Sequence, residues 1–163
     1  MNKGSLIHFT NYNVWANTKL AGFILEAGEE KSDVSQNSSF SSIRKTLYHI
    51  WDAETIWIKR LQGDSFTDWP SKNFNGTLKA ACESFLKNSE NFVLYAKEKS
   101  ETELNSAVTY KTLDGNEFSN ITSYIIMHVM NHSTFHRGQI ITLLRNTGFD
   151  KFSSTDYITF CRL

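Results

Sequence analysis

An all-α protein, a four-helix bundle carrying one small β-hairpin, is the fold that the sequence predicts. Three observations predict it. Four long segments repeat apolar residues at helical spacing, a single proline, Pro70, interrupts the 163 residues, and an Asp114-Gly115 pair follows a short alternating stretch. Proline removes a backbone donor and clashes with the preceding turn, so its scarcity leaves long runs free to be helical.

The first helix is expected over about residues 5–27, where Leu6, Phe9, Trp15, Leu20, Phe23 and Ile24 are apolar. The turn-rich segment "GEEKSDVSQNSS" follows it. The second helix is expected over about 40–62, with Ile43, Leu47, Ile50, Trp57, Ile58 and Leu61 at helical spacing. "GDSFTDWPSKNFNG" then reads as a loop. In a third helix, about 76–99, Leu78, Cys82, Phe85, Ser89, Phe92 and Ala96 alternate by four and three, the seam of a bundle. In "AVTYKTLDGNEFS", Val108 and Tyr110 alternate with polar residues before Asp114-Gly115, which predicts a hairpin. A fourth helix is expected over about 120–146, with Gly148 as its stop. The aromatic tail "FDKFSSTDYITFCRL" should dock on the bundle. With no repeat, low-complexity tract or linker, residues 1–163 are expected to form one domain.

Lys plus Arg equals Asp plus Glu, 17 against 17. A chain without excess positive charge is a poor binder of phosphate backbones, so no nucleic-acid partner is expected. No run of 18 apolar residues predicts a membrane span, and "MNKGSLIHFTNYNVW" lacks the apolar stretch of a signal peptide. Two cysteines, Cys82 and Cys161, make no disulfide framework. A cytoplasmic protein is the expectation.

The chemistry concentrates in "MHVMNHSTFHRGQI", residues 127–140, which holds three of the five histidines. At about 100° per residue, positions four apart lie about 40° apart on a helix. His128, His132 and His136 therefore spread over about 80°, beside Ile125, Gln139 and Leu143, and this arc reads as the inward face. An i, i+4 histidine pair can chelate one metal ion. A catalytic site of the zinc type usually takes three protein ligands and leaves one position open. His49 in "LYHIWDAETIW", at the edge of the second helix's apolar stripe, is the leading third candidate, with His8 in reserve. Spacing alone does not choose between the His128/His132 and His132/His136 pairs.

Several neighbours read as structural. Glu54 lies about 40° from Ile50 on the apolar arc, and a buried carboxylate needs a partner. Gln139 can orient a ligand ring or a water. Asn13 and Asn17 read as solvated or packing polar groups, and Cys82 as a small core residue. Trp51 and Trp57 lie about 120° apart on the second helix, so either one of them packs at a subunit interface or both belong to a wide intramolecular core.

Taken together, "NYNVWANTKL", "LYHIWDAETIWIKRLQG", "VTYKTLDGNEFSN", "HVMNHSTFHRGQI" and "TDYITFCRL" resemble, in order, segments of the DinB/YfiT-like superfamily. The resemblance spans nearly the whole chain. It implies a four-helix bundle with a long crossover between helices two and three. It also implies a metal site of one histidine from helix two and an H-x3-H pair from the last helix: His49, His132 and His136 here. His128 is then a core neighbour of the ion rather than a ligand. The implied cofactor is a divalent metal, zinc or nickel. The implied function is transfer of a low-molecular-weight thiol, as cosubstrate, to a small-molecule electrophile. The alternatives are a metal-dependent hydrolase and a non-catalytic stress-response metal-binding protein. A homodimer is expected on the same grounds.

Overall fold

Two apolar clusters fix the direction of each helix. The computed structural model describes residues 1–64 and 68–163. Its long helices are α1 (Lys3–Asp33), α2 (Ile43–Gln62), α3 (Leu78–Glu98) and α5 (Thr122–Asn146), with short helices α4 (Glu101–Leu104) and α6 (Tyr157–Phe160). One cluster gathers Leu20 and Ile24 of α1, Ile43 and Leu47 of α2, Leu78 and Phe85 of α3, and Ile140 and Leu144 of α5. The other gathers Leu6, Ile58 with Leu61, Phe92, and Ile126 with Met130. Thus α2 and α3 run from the first cluster to the second, while α1 and α5 run the opposite way. Because α2 and α3 start at the same end, the chain must return along the bundle between them, and residues 68–77 belong to that return. This is the expected long crossover, and it derives from the parallel run of two consecutive helices. Helices α1 and α2 each pack mainly on α3 and α5 and stand diagonally across from one another.

Local signals set the boundaries. Asn2, Ser42 and Thr77 each accept a backbone N–H of the first turn, capping α1, α2 and α3. Gly63 ends α2 in the left-handed region at φ +80°, and Gly148 follows α5 at φ +77°, where a Cβ would be strained. The first helix extends beyond its expected end. The backbone breaks at Gly28 (φ +88°) but turns helical again to Asp33. Arg44 holds this extra turn, donating to both Asp33 oxygens at 2.6 and 2.8 Å, while Glu29 accepts from the Leu78 N–H at the start of α3. These tertiary partners override the turn-forming composition of "GEEKSD". In the crossover, the Ser71 N–H and hydroxyl donate to Asp52 of α2.

Strands β1 (Ala107–Lys111) and β2 (Glu117–Ile121) pair antiparallel, Ala107 opposite Ile121 and Lys111 opposite Glu117. Gly115, at φ +86°, makes the turn. The tail docks as expected: Tyr157 and Phe160 of α6 pack their rings on Tyr12, with Phe9 and Trp15 alongside. Among the described residues, no helix is long and apolar enough to cross a membrane.

A polar layer separates the two apolar clusters at mid-height. Glu54 of α2 is wholly buried. Its Oε1 accepts from Asn13 and Asn17 of α1 at 3.0 and 3.3 Å and from the Ser133 hydroxyl of α5 at 2.9 Å. Its Oε2 accepts from the Ser89 hydroxyl of α3 at 2.6 Å. The side-chain oxygens of Asn13 and Asn17 in turn accept from Arg137 Nη1 of α5 at 2.6 and 2.8 Å. Each asparagine therefore bridges a buried cation to a buried anion, which corrects the expectation that this pair is solvated or mere packing. Removing one member of such a network strands the others without partners. We expect Glu54→Ala to destabilise the protein by about 3–5 kcal/mol, read as a lower midpoint in urea unfolding. A change below about 1 kcal/mol would mean that the layer contributes little.

Candidate metal centre

Since α2 and α5 are antiparallel neighbours, each step forward along α2 meets a step back along α5. Glu54 meets Ser133, His49 meets His132 and His136, and Trp57 meets His128. The three histidines that the family resemblance selected thus come together. His49 Nε2 and His132 Nε2 lie 3.0 Å apart. The His136 ring centroid is 4.5 Å from that of His49 and 4.3 Å from that of His132. One nitrogen from each ring lies within 4.8 Å of the others. His136 is buried, and His49 and His132 are half-buried.

Surrounding groups orient these rings. The Gln139 side-chain oxygen stands 2.7 Å from His136 Nδ1. Paired with that oxygen, Nδ1 is assigned the proton, and Nε2 keeps its lone pair. Phe40, in the segment between α1 and α2, stacks on His49 at 4.0 Å between centroids and 20° between planes. His132 Nδ1 is buried without a partner among the described residues. Burial, and then the proximity of His136, pushes the His49 pKa down to about 4. Burial and the neighbouring His136, His49 and His128 bring His132 to about 4 as well. His136 is also lowered by burial, with the Gln139 hydrogen bond opposing.

These features fit a bound divalent cation. A metal requires neutral imidazoles with free lone pairs. Two nitrogens at about 2.1 Å from one tetrahedral ion lie about 3.4 Å apart, near the spacing seen. The Gln139–His136 contact is the kind of outer hydrogen bond that orients a ligand ring.

The remaining candidates fall elsewhere. His128 is exposed rather than a core residue, its ring 5.3 Å from Trp57 and 6.2 Å from His132. The core line of α5 runs through Ile126, Met130, Ser133, Arg137, Ile140 and Leu144, so the histidines occupy its flank rather than its centre. Counting apolar residues along each line of the helical wheel would have located this line, and with it Ser133 and Arg137, which the sequence reading missed. Phe40 had no sequence signal. His8 is remote from the cluster, lying against Phe160 with its Nε2 3.5 Å from Cys161 Sγ. Cys82 is buried, which pushes its thiol up to about 11. Trp51 is buried against Phe74, and Trp57 packs between Tyr110 and His128. Both tryptophans find partners inside the chain, so their angular separation no longer argues for a subunit interface.

Fold and site together define a helical bundle with three imidazoles on facing helices, a cluster able to hold a metal ion. The DinB family model matches residues 1–162, and the chain belongs to that family. It is 29% identical over 155 residues to Protein DinB of Bacillus subtilis (strain 168), covering 90% of this chain and 87% of the relative. A crystal structure of a DinB-like protein from Bacillus cereus ATCC 10987 shares the fold, with a TM-score of 0.68 at 17% identity over 88% of this chain and 91% of that one.

The histidine environment has a pH consequence in the metal-free protein. His49 and His132 stay neutral when folded, whereas unfolded imidazoles take up protons near about 6.5. Between those values the unfolded chain binds more protons, so stability is retained above about pH 6.5 and declines as the pH falls towards 4. Nitrogen NMR at pH 7 should find His136 protonated at Nδ1, with Gln139→Ala redistributing that proton. An Nε2–H tautomer in the parent protein would contradict the assignment.

Proposed function

We propose that His49, His132 and His136 hold one divalent ion, zinc or nickel, and that the protein transfers a low-molecular-weight thiol to a small electrophile. The observation that carries this reading is the all-imidazole composition of the cluster, with its nitrogens within 4.8 Å of one another. Neutral ligands leave the full charge of an ion in place. A bound divalent ion supplies the positive charge that deprotonates a coordinating thiol, which otherwise ionises near about 8.5. The chain's own groups prepare the site. Gln139 fixes the His136 tautomer, and Phe40 covers one face of His49.

A metal-dependent hydrolase fits less well. It needs a base to manage the proton of an attacking water, and the two acids of α2 are committed elsewhere, Asp52 to the Ser71 N–H and hydroxyl and Glu54 to Asn13, Asn17, Ser133 and Ser89. A purely structural or stress-sensing metal site would be closed by a fourth protein ligand. Among the described residues, the cluster contains three. The proposal includes a single domain over residues 1–163 in the cytoplasm, where a reduced thiol pool keeps such a cosubstrate available.

Elemental analysis of untagged protein should find about one zinc or nickel per chain. His132→Asn should lose the metal and any thiol-transfer activity, whereas His128→Asn should keep the metal. His128 and His136 are about 12 Å apart along the axis at 1.5 Å per residue, too far to share an ion easily. Equal metal loss in both folded variants would place His128 on the ion and overturn the ligand set.

A further inference from the structure

Beside the histidine cluster, one turn further towards the start of α5, a cavity of about 330 Å³ opens between α2, the hairpin and α5, lined by Trp57, Tyr110, Asn120, Tyr124, Ile125 and His128. Its size lies at the lower end for small-molecule sites. Its walls are mostly rings: Tyr110 stands edge-on to Trp57 at 5.1 Å and His128 edge-on to the same ring at 5.3 Å. Tyr124 is 61% exposed at its edge, so a guest can enter without parting the bundle. His128 joins this cavity to the cluster, since it lines the one and its ring is 6.2 Å from that of His132 in the other.

Two polar groups of the cavity are bonded to each other. The Tyr110 hydroxyl donates to Asn120 Oδ1 at 2.9 Å. That bond occupies the amide oxygen, and the Asn120 NH2 has no partner among the described residues. Behind the rings, the Arg60 guanidinium lies 4.6 Å from the Trp57 centroid and 5.1 Å from that of Tyr110. Its Nε is buried without a hydrogen-bond partner among the described residues. No carboxylate among the described residues pairs with Arg60, and Ser65, Phe66 and Thr67, the remaining residues, carry none. A box of aromatic rings with an open N–H donor, and a cation against two of the rings, suits a flat conjugated guest bearing an acceptor oxygen.

We propose that this cavity binds the electrophile, and that the electrophile is a conjugated carbonyl compound, an enone or a quinone. Resting on the thiol-transfer reading, the inference adds the class of acceptor and the residues that select it. The guest's ring lies among Trp57, Tyr110 and Tyr124, its carbonyl oxygen accepts from the Asn120 NH2, and its β-carbon is directed past His128 towards the histidine cluster. The reaction is a conjugate addition. The thiol sulfur forms a bond to the β-carbon, the carbon–carbon π bond breaks, and its electron pair moves onto the carbonyl oxygen as an enolate. The proton lost by the thiol returns at the α-carbon. Atoms and electrons balance without an oxidant or reductant.

Binding is measured apart from chemistry with 1-indanone, a flat aryl ketone without an activated alkene, and with indane, which lacks the oxygen. Calorimetry on metal-loaded protein should show 1-indanone binding about tenfold tighter than indane, the worth of one open hydrogen bond. Asn120→Leu should abolish that difference, and Trp57→Leu should weaken both ligands about tenfold or more. His132→Asn, measured without metal, should bind 1-indanone as the parent does. Equal affinity for the two ligands in the parent protein, or affinities unmoved by Asn120→Leu and Trp57→Leu, would overturn the proposal. The two ideas stay distinct, because a metal-loaded parent protein that binds 1-indanone but transfers no thiol would defeat the thiol-transfer reading and leave the cavity assignment standing.

Discussion

The Glu54 carboxylate sets the level at which four helices meet. A buried anion is tolerated only where donors surround it, and here the donors come from α1, α3 and α5 while the acceptor comes from α2. Apolar side chains on helices slide past one another at modest cost, because dispersion and burial are non-directional. Hydrogen bonds to a single carboxylate are not so forgiving. Arg137 reinforces the constraint, since it reaches the same two asparagines from the other side. The polar layer gives up some apolar burial and fixes the register in return, a role buried polar groups also take in coiled coils.

The histidine cluster depends on that register. His49 is five residues before Glu54, and His132 adjoins Ser133, so the bond between Glu54 and Ser133 positions α2 against α5 where the imidazoles meet. A slide of one turn, about 5.4 Å, would bring His49 away from the pair. The layer also keeps its acid to itself. Both Glu54 oxygens are occupied, so the cluster is left with imidazoles alone, although a carboxylate lies a short way along the same helix. Structural and chemical groups are therefore adjacent but distinct, and a cation held by the three imidazoles would have no anionic ligand.

Outside this centre, the chain surrounds the α2–α5 groove with rings. Phe40 covers His49 from the segment before α2, while the hairpin brings Tyr110 and Asn120 to Trp57 and His128. The hairpin thus forms one wall of a cavity, and the crossover stays at the side of α2, held by Asp52.

By itself the sequence determined the four long helices, the hairpin turn and the stop at Gly148, because helical periodicity, glycine and a near absence of proline act locally. It also determined the histidine pair on α5, since i, i+4 spacing places two rings on one face whatever the partner. The third histidine needed a family resemblance, because no local rule says which helix faces which. Only the tertiary structure decided the rest. It put His128 at the surface beside Trp57, because α5 turns Ser133 and Arg137, not its histidines, towards the bundle axis. It extended α1 to Asp33 through Arg44. It buried Asn13 and Asn17, which on a helical wheel look like solvated polar residues, because Glu54 and Arg137 require them. Partners from distant parts of the chain satisfy each of these groups, and a linear pattern carries no information about a hydrogen bond until the fold brings its two ends together.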